Sequence, residues 1–561
     1  MRKNWIIKQP DIEIVSLLEK ELGISKVLCQ ILAHRGAKTK EDIGRFLKAD
    51  ITDLYDPFSL TDMEKAVSRI RKAILDKENI LIFSDYDVDG ITSCAIMEME
   101  LKRLGAVVSH YIPHRVKEGY GLNANAVKLA HKQKIKLLIA LDCGIRSIKE
   151  VDALNKFNID TVIVDHHNPE PGKLPKAYAI VDPQREDCPY KFKHLAAVGL
   201  VYKLICALNG EIVERYLDLV ALGTVADVVP LIDENRIIVK NGLKLINNPS
   251  NFGVKALIEA SGLIGKEINP GRISFILAPR INASGRVDSA EVALDLLLSD
   301  NTEKAKELAG SLNVHNRSRQ KIEEGVMDEA LNLIEKNINF KEHQIIVLAK
   351  EDWHPGVSGI VASKIADRFF RPTIIISLKD GLGKGSGRSI PGFHLFNAVS
   401  DCSSYLAEFG GHSHAVGLVI EERNIADFTS GINKIAKENI TVETLRPVLE
   451  IDAQLPLMFL NHDLIDNIKK LEPFGLGNPR PLFCSHDLTV KTIPALLGRD
   501  TIKFWVTDGE RTFEAIGFGL KEMASYIKPP NKIDIAYHLT LDNWQNVNSL
   551  LLEIKDLRLS Q

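Results

Sequence analysis

The chain has 561 residues, of which 45% are hydrophobic and 26% are charged. Its 71 Lys and Arg stand against 74 Asp and Glu, which gives a formal net charge of −3. This length predicts three or four domains. The near-neutral charge excludes a uniformly basic nucleic-acid-binding chain, so a nucleic-acid ligand would require local basic patches.

The seven cysteines are scattered, and no two of them form a CxxC pair. This pattern argues against a zinc–thiolate site and against a disulfide framework, and it fits a reducing cytoplasm. The first residues lack the apolar core of a signal peptide, and no apolar run approaches the roughly 20 residues of a membrane helix. We therefore expect a cytoplasmic protein.

Hydrophobic periodicity divides the chain into five segments. Short amphipathic helices predict an N-terminal helical extension at 1–75. Apolar strands alternate with helices at 76–300, which predicts an α/β domain with a parallel sheet. A connecting helix (301–340) and a second α/β domain (341–445) follow. Five short strands at 446–561 predict a small barrel or sandwich, with an OB-fold as one candidate.

A cluster of acids follows the first strand of the larger α/β domain. The apolar run Ile80–Phe83 leads into Asp85, Asp87 and Asp89, and a helical pattern comes next. Three carboxylates so close together repel one another, and a divalent cation would satisfy them. A solvated acidic turn is the alternative. A calcium-binding EF-hand does not fit, because a strand precedes the acids and Ile96 stands where that loop needs Glu.

Three further segments carry the same kind of side chain where predicted elements end. Asp142 follows one strand, Asp165, His166 and His167 follow the next, and Asp227 follows a helix. Because the carboxyl ends of parallel strands share one edge, these groups can converge. Carboxylates with imidazoles suit Mn²⁺ or Mg²⁺, and the number of acids predicts a two-metal site.

At this point the sequence resembles a known family. Four segments are similar, in chain order, to motifs I to IV of the DHH phosphoesterase superfamily. They are SDYDVDG (84–90), LDCG (141–144), VDHH (164–167) and GTVADVVPL (223–231). The segments that resemble bacterial RecJ exonucleases are RINASGR (280–286), LNVHNRSRQ (312–320), GSGRS (385–389) and GGHSHAVG (410–417). The resemblance covers about residues 50–555. It implies a DHH catalytic domain, a linking helix, a DHH-associated domain and an OB-like domain.

The activity implied by the resemblance is Mn²⁺- or Mg²⁺-dependent 5′→3′ hydrolysis of single-stranded DNA in recombination and repair. By position, the implied metal ligands are Asp87, Asp142, His166 and Asp227, with Asp142 as the bridge, and Asp85 and Asp89 complete the coordination. His167 would bind phosphate or orient His166, and we include it in the catalytic set. Phe83 stands where pyrophosphatase relatives carry a metal-binding His, which argues against that branch.

Candidate phosphate-binding residues come from several places in the chain, of which three are glycine-rich or donor-rich segments. The stretch Gly383–Ser389 offers amides, hydroxyls and two cations, although a flexible surface loop is the alternative. The resemblance makes Ser386 and Arg388 candidates to bind the 5′-terminal phosphate, and it places Arg280 towards the active site. His412 follows a glycine pair that would let backbone approach phosphate, with a helix-ending turn as the alternative.

Aromatic side chains are candidates for stacking on bases. Arg115 could bind a phosphate, and Tyr120 could stack on a terminal base, unless it is simply buried. Near the C-terminus, Phe504, Trp505 and Trp544 lie among Lys and Arg, but strand alternation turns Phe504 or Trp505 inward.

Two rival functions remain open at this stage. One is a phosphodiesterase of the same superfamily that acts on short oligonucleotides or cyclic dinucleotides, and the other is a non-catalytic single-strand-binding replication scaffold. The expected partners of the exonuclease are single-stranded DNA, a single-strand-binding protein and a helicase, with the enzyme itself a monomer.

Overall fold

The computed structural model describes residues 3–115, 117–287, 289–542 and 549–560. These residues form two compact units. The first contains residues 56–227 and 242–447, and the second contains 3–55, 228–241 and 448–560. Within these ranges, no helix is both long and apolar enough to cross a membrane.

The N-terminal segment consists of one strand and three helices. They are β1 (Asn4–Ile7), α1 (Ile12–Leu22), α2 (Lys26–His34) and α3 (Lys40–Lys48). β1 pairs in parallel with the strand Val448–Ile451, and the apolar faces of the helices enter the core of the C-terminal domain.

The structure therefore groups these residues differently from the predicted extension at 1–75. Residues 3–55 share a hydrophobic core with the C-terminal domain, whereas residues from Asp56 onward belong to the first unit. The physical reason is that short amphipathic helices bury too little apolar surface to form a core of their own.

The first unit begins with α4 (Met63–Leu75) and a five-stranded sheet whose strand pairs are all parallel. In chain order the elements are β2 (Asn79–Ser84), α5 (Val88–Arg103), β3 (Val107–Tyr111), α6 (Ala124–Lys132), β4 (Leu137–Leu141), α7 (Ile148–Lys156), β5 (Asp160–Val164), β6 (Ala179–Val181), α8 (Ala197–Asn209) and α9 (Leu217–Ala226). The strand order is β3-β2-β4-β5-β6. The predicted parallel α/β domain is confirmed, and its carboxyl strand ends share one edge.

The next segment is helical, as predicted. It contains α10 (Asp233–Ile246), α11 (Phe252–Ala260), α12 (Pro270–Arg272), a π-helix (Ile273–Leu277), α13 (Ala278–Val287), α14 (Glu291–Leu297) and α15 (Thr302–Asn337). The 36-residue α15 is the predicted connecting helix; it packs against α11, α13 and α14, and further along against α16 of the second α/β domain.

The second α/β domain has a mixed sheet with strand order β10-β11-β9-β8-β7. In chain order its elements are β7 (Ile346–Glu351), α16 (Pro355–Phe369), β8 (Thr373–Lys379), β9 (Leu382–Arg388), α17 (Leu395–Asp401), β10 (Leu406–His412), β11 (Ala415–Glu421) and α18 (Ile425–Asn439).

The glycine-rich stretch is a central strand of this sheet, so the alternative of a flexible loop is wrong. β9 pairs with β8 on one side and β11 on the other, which engages its backbone amides in the sheet. The residues that alternate with the glycines, Lys384, Ser386 and Arg388, therefore share the opposite face. His412 ends β10, so the alternative of a helix-ending turn is also wrong.

The C-terminal domain is a closed five-stranded barrel. In chain order its elements are β12 (Val448–Ile451), β13 (Ala453–Gln454), α19 (His462–Lys470), β14 (Phe483–Val490), β15 (Ala495–Leu497), β16 (Thr501–Thr507), β17 (Thr512–Gly517), β18 (Lys532–Asp542) and β19 (Ser549–Leu559). The pairings β14–β18, β18–β19, β19–β17, β17–β16 and β16–β14 close the ring.

Of the candidate C-terminal aromatics, Phe504 points into the barrel core and Trp505 is exposed. Lys503, on the same outer face as Trp505, is paired with Glu514 at 2.9 Å. Trp544 lies outside the described residues.

Candidate metal centre and phosphate-binding cavity

The acidic turn after β2 is a tight junction between a buried strand and α5. Asp87 caps the helix, and its Oδ1 accepts from the Gly90 amide at 3.1 Å. A Cβ on Gly90 would lie 2.4 Å from the Asp85 carbonyl oxygen, so only glycine fits there. This turn directs Asp85 and Asp87 towards the carboxyl edge of the sheet, where Asp142 lies.

Asp165, directly after β5, fixes the two histidines that follow it. Its Oδ1 accepts from the amides of His166 and His167 at 2.8 and 3.1 Å, and from Nδ1 of His167 at 2.7 Å. Its Oδ2 accepts from the Ile145 amide at 3.0 Å. A carboxylate with this many donors is occupied in orienting the imidazoles.

The predicted ligands converge into three overlapping groups. Within each group the ligand atoms lie within 4.8 Å of one another: Asp85, Asp87 and Asp142; Asp142, His166 and His167; and Asp89, His166 and Asp227. His166 lies 3.3 Å from Asp142 through Nε2 and 3.7 Å from Asp227 through Nδ1. Asp142 and His166 each belong to two groups, so they occupy the centre of the cluster.

Asp89 has a second set of contacts. Both of its oxygens accept amide protons at 2.8 Å, from Ala197 and Val198 at the start of α8. Asp89 is fully buried, and it therefore anchors a helix terminus from within the acidic cluster.

The electrostatics of the cluster are unfavourable as they stand. Burial and the charge of Asp87 raise the pKa of Asp85 well above its usual value. Burial, with Asp89 and Asp87, does the same to the pKa of Asp142, and burial raises the pKa of Asp89 to about 6. Burial opposes the charged form of His166, but its hydrogen bond to Asp142 and the charge of Asp227 raise its pKa. Neighbouring carboxylates thus repel one another, and a positive charge between them would stabilise their charged forms.

The donor set fits divalent cations. Asp85 Oδ1 is buried without a hydrogen-bond partner among the described residues, which is costly unless a ligand completes it. Carboxylate oxygens with one or two imidazoles are the ligands that Mn²⁺ accepts, and the carboxylates also suit Mg²⁺. Phe83 is fully buried and stacks on Tyr111 at 5.8 Å, so it supplies no ligand.

A cavity of about 650 Å³ lies between this edge and the second α/β domain. On the side of the parallel sheet it is lined by Tyr86, Arg115 and Tyr120, and on the other side by residues that include Lys384 and Ser386. Arg388 donates to Ser386 Oγ at 3.3 Å. Burial and the nearby charge of Arg115 lower the pKa of Arg388. The cavity lining thus contains two cations, Arg115 and Lys384, and one acid, Glu408.

Tyr120 connects the cavity to the metal cluster. Its hydroxyl lies 3.2 Å from the Asp142 carbonyl oxygen and 3.1 Å from His167 Nδ1. Because that nitrogen also faces Asp165 at 2.7 Å, the Tyr120 proton goes to the carbonyl. The residue is 51% exposed, so the alternative of a buried Tyr120 is wrong. Arg115 lies over the ring of Tyr86 at 4.8 Å.

The other two candidates, Arg280 and His412, do not belong to the three ligand groups. Arg280 donates to Ile276 O at 2.6 Å and to Asn313 of α15 at 3.2 Å, and burial with Arg317 lowers its pKa. His412 is close enough to His414, Arg388 and His167 for their charges, after burial, to lower its pKa.

Sequence reasoning missed two kinds of residue here. Asp182 follows β6 at the same sheet edge, is fully buried, and has a pKa that burial and Asp165 raise to about 8. Asp182 could have been found from the sequence, because it is an Asp directly after a predicted strand. Ser358 and Gly356 at the start of α16 line the cavity, and Arg286 donates to Gly356 O at 2.8 Å. The run PGVSG (355–359) gave no recognisable signal.

Family models match three parts of the chain. The DHH family N-terminal domain matches residues 79–224, the DHHA1 domain 342–438, and the RecJ OB domain 451–556. The chain is 38% identical to the single-stranded-DNA-specific exonuclease RecJ of Bacillus subtilis over 563 residues, which cover 100% of this chain and 71% of that protein. It is 31% identical to RecJ of Escherichia coli over 584 residues, which cover 99% of this chain and 100% of that protein.

Solved structures agree with this similarity. RecJ from Thermus thermophilus in complex with Mn²⁺ matches with a TM-score of 0.86 and 28% identity, covering 100% of this chain and 80% of that one. The Mg²⁺ complex from the same organism matches with a TM-score of 0.80 and 26% identity, covering 100% of this chain and 79% of that one. With the acidic cluster, the three matched domains and full-length identity above 30%, this chain belongs to the RecJ family of DHH-type exonucleases.

Proposed function

We propose that the protein is a metal-dependent exonuclease that hydrolyses single-stranded DNA to nucleotides from the 5′ end, in recombination and repair. The observation that carries the proposal is the convergence of five carboxylates and two imidazoles at one sheet edge, beside a cavity that Arg115 lines from the same domain and Lys384 and Ser386 line from the second α/β domain. Acids of this type hold the ions, and the cations hold the phosphates of the substrate.

Asp85, Asp87, Asp142, His166 and Asp227 would hold Mn²⁺ or Mg²⁺, and Asp142 is shared by two of the ligand groups. When bound, the ions activate water and neutralise charge on the phosphoryl oxygens. Asp165 keeps His166 and His167 in place through its amide contacts.

The remaining residues position the strand. Ser386 and Arg388 would bind the 5′-terminal phosphate in the cavity, with Arg115 opposite and His412 nearby. The half-exposed ring of Tyr120 is available to stack on the first base, which would leave the following phosphodiester over the acids. Arg280, against α15, would contact the strand further along.

The cell location and partners follow from the same proposal. All seven cysteines are buried and free, which suits a reducing cytoplasm. We propose a monomeric cytoplasmic enzyme that receives unwound strands from a helicase and works on DNA covered by a single-strand-binding protein.

The test is degradation of one oligonucleotide labelled at either end, single-stranded and duplexed, with Mn²⁺, Mg²⁺ or a chelator. We expect mononucleotides from the 5′ end of the single strand alone, and none with chelator. Binding without cleavage under every metal would favour a scaffold. Cleavage confined to very short oligomers would favour the small-phosphodiesterase branch.

A further inference from the structure

A second, smaller cavity lies beside the metal cluster, with a volume of about 250 Å³. Sites for drug-sized molecules span roughly 300–1,000 Å³, so this cavity has room for a single base rather than for a whole nucleotide. Asp165 and His167 line it from the end of β5, and Tyr120 lines both this cavity and the larger one. A base stacked on this side of the Tyr120 ring would therefore lie in the smaller cavity.

Ser147 brings an unpartnered hydroxyl to this cavity. The residue directly precedes α7 and is 9% exposed, and its side chain caps no amide of the helix. No hydrogen bond of Ser147 Oγ is found within the described ranges. A buried hydroxyl without a partner is costly, and such groups in native proteins usually bind a ligand or ordered water. Ser147 therefore points to a polar ligand.

Glycine keeps the space in front of Ser147 open. Gly121 has φ of +90°, and a Cβ there would lie 3.9 Å from Ser147 Oγ. The buried side chains of Leu122 and Ile145 form apolar walls of the same cavity. Mostly apolar walls with a few polar groups are typical of sites for small organic ligands.

Two opposite charges share the cavity without neutralising each other. Arg146 Nε donates to Asn168 O at 2.9 Å, which leaves the terminal guanidinium nitrogens available. Glu150, in the first turn of α7, lines the same cavity. Among the described residues, neither Arg146 nor Glu150 forms an ion pair. Because Glu150 repels a phosphate and Arg146 repels a metal ion, the cavity favours a ligand that offers donors and acceptors together.

Among the four bases, guanine matches this set best. Its O6 and N7 accept from an arginine, and its N2 amino group donates to a carboxylate. Adenine places an amino group where guanine has O6, which Arg146 disfavours. Thymine has no amino group for Glu150, and neither pyrimidine has an N7.

We propose that this cavity, through Arg146 and Glu150, binds the base of the 5′-terminal nucleotide and makes the enzyme prefer guanine at that position. The inference rests on the proposed function, which places the first base on Tyr120. Ser147 Oγ adds one further hydrogen bond to the base. The contacts are the same before and during hydrolysis, so the preference belongs to KM rather than to kcat.

The experiment measures release of the first nucleotide from 5′-phosphorylated single strands that differ only in the terminal base. We expect kcat/KM to be about tenfold higher for guanine than for thymine, as for one bidentate contact to a base edge. Hypoxanthine lacks only the N2 amino group of guanine, and 7-deazaguanine lacks only N7. Each analogue should raise KM relative to guanine.

Two variants assign the contacts. Glu150→Ala should reduce the difference between guanine and hypoxanthine, and Arg146→Met, which keeps the stem but removes the donors, should reduce that between guanine and 7-deazaguanine. The matched control is Asp152→Ala, because Asp152 lies on the same helix but does not line the cavity. It should preserve both differences.

Equal kcat/KM values for the four bases would overturn the inference. A guanine preference that persists in both variants would overturn it as well, because stacking on Tyr120 would then suffice. Equilibrium binding in chelator decides the question without hydrolysis: the wild type should bind the guanine-ended strand more tightly than the thymine-ended one, and equal affinities would contradict the inference. If that difference is present but no strand is degraded with metal, the proposed function fails and the base-binding cavity stands.

Discussion

Asp142 occupies the most demanding position among the acids of the cluster. Its backbone lies in the left-handed region, with φ of +59°, and the residue is 3% exposed. Non-glycine residues rarely adopt this conformation, and Asp and Asn tolerate it better than others. Strain and buried charge at one residue are typical of a functional site that the surrounding fold maintains.

Replacing Asp142 with Asn should separate stability from activity. We expect at least about a 10³-fold fall in hydrolysis, because a metal-binding carboxylate is lost. In chelator, the variant should unfold at a higher temperature than the wild type, because Asn keeps the shape and removes repulsion with Asp87 and Asp89. Thermal unfolding of both proteins with and without Mn²⁺ measures the difference in unfolding temperature. Added Mn²⁺ should raise the unfolding temperature of the variant by less than that of the wild type.

Asp152→Asn on α7, outside the cluster, is the control and should leave both quantities unchanged. A lower unfolding temperature of the Asp142 variant in chelator would contradict the expected repulsion.

Tyr120 offers a test of two roles in one side chain. Tyr120→Phe removes the hydroxyl near His167 and the Asp142 carbonyl but keeps the ring. If the ring stacks on the first base, Phe should retain substrate affinity, and Ala should weaken it by about 1–3 kcal/mol. KM and kcat for both variants on a single-stranded oligonucleotide provide the measurement. Equal KM values for Phe and Ala would exclude stacking.

At the scale of elements, β9 explains why glycine alternates with polar residues in the GKGSGR run. On one face, added Cβ atoms at Gly383, Gly385 and Gly387 would press against branched side chains of β8 and β11. The glycines thus allow the sheet to pack closely, while the alternating Lys, Ser and Arg remain on the opposite face.

Gly385→Ala should therefore destabilise the second α/β domain. Its Cβ would lie 2.6 Å from Leu418 Cδ1, and overpacking of this kind costs about 1–3 kcal/mol. Gly417→Ala on the neighbouring strand is the matched control, because its Cβ would meet nothing within 4 Å. Urea unfolding of the two variants measures the difference. Equal stability would mean that Leu418 moves aside at little cost.

A partly buried ion network joins β3 to α5 and α14. His110 on β3 contacts Glu98 at 2.6 Å and Glu291 at 3.1 Å. Its hydrogen bonds to Glu291 and Glu98 raise the pKa of His110 from 6.5 to about 10. Because the folded state holds this proton more tightly, the stabilisation is complete below pH 6.5 and is lost as the pH rises towards 10.

His110→Gln should flatten this dependence. We expect the wild-type free energy of unfolding to fall more steeply than that of the variant between pH 6.5 and about 10. Urea unfolding at several pH values in this window provides the comparison. Parallel curves for the two proteins would show that His110 does not carry a proton in the folded state.

At the scale of the whole molecule, the chain passes between its two units four times. The N-terminal residues 3–55 and the segment 228–241 belong to the unit that contains the C-terminal barrel. Within that unit, Arg236 is fully buried and donates to backbone carbonyls of Phe46, Leu471 and Glu472. Three distant parts of the sequence are thus joined through one side chain.

Ending the chain at Pro447 should expose the apolar faces of α1 to α3, because their shared core would be lost. We expect the 1–447 chain to bind more of a hydrophobic dye and to aggregate more than the 56–447 chain. The shorter chain lacks α1 to α3 and therefore does not expose their apolar faces. Dye fluorescence and light scattering measure both. A soluble 1–447 chain without dye binding would show that the N-terminal helices are stable without the barrel.

The sequence alone determined the parallel α/β domain, the connecting helix and a small C-terminal domain of short strands, and it predicted the set of acids. Each depends on local information: alternating apolar runs give the strands, and a carboxylate after a strand falls at the sheet edge whatever the rest of the fold does. Asp85, Asp87, Asp142 and His166 meet because parallel strands bring their carboxyl ends together, and Asp227 joins them from the end of α9.

Only the tertiary structure decided how distant segments combine. Whether residues 3–55 stand alone depends on a core partner more than 400 residues away, which periodicity cannot identify. The GKGSGR run reads as a loop because glycine lowers strand propensity, and only its neighbours β8 and β11 make it a strand. Ser358 gains its significance from the cavity that two domains form together, so no local pattern could reveal it.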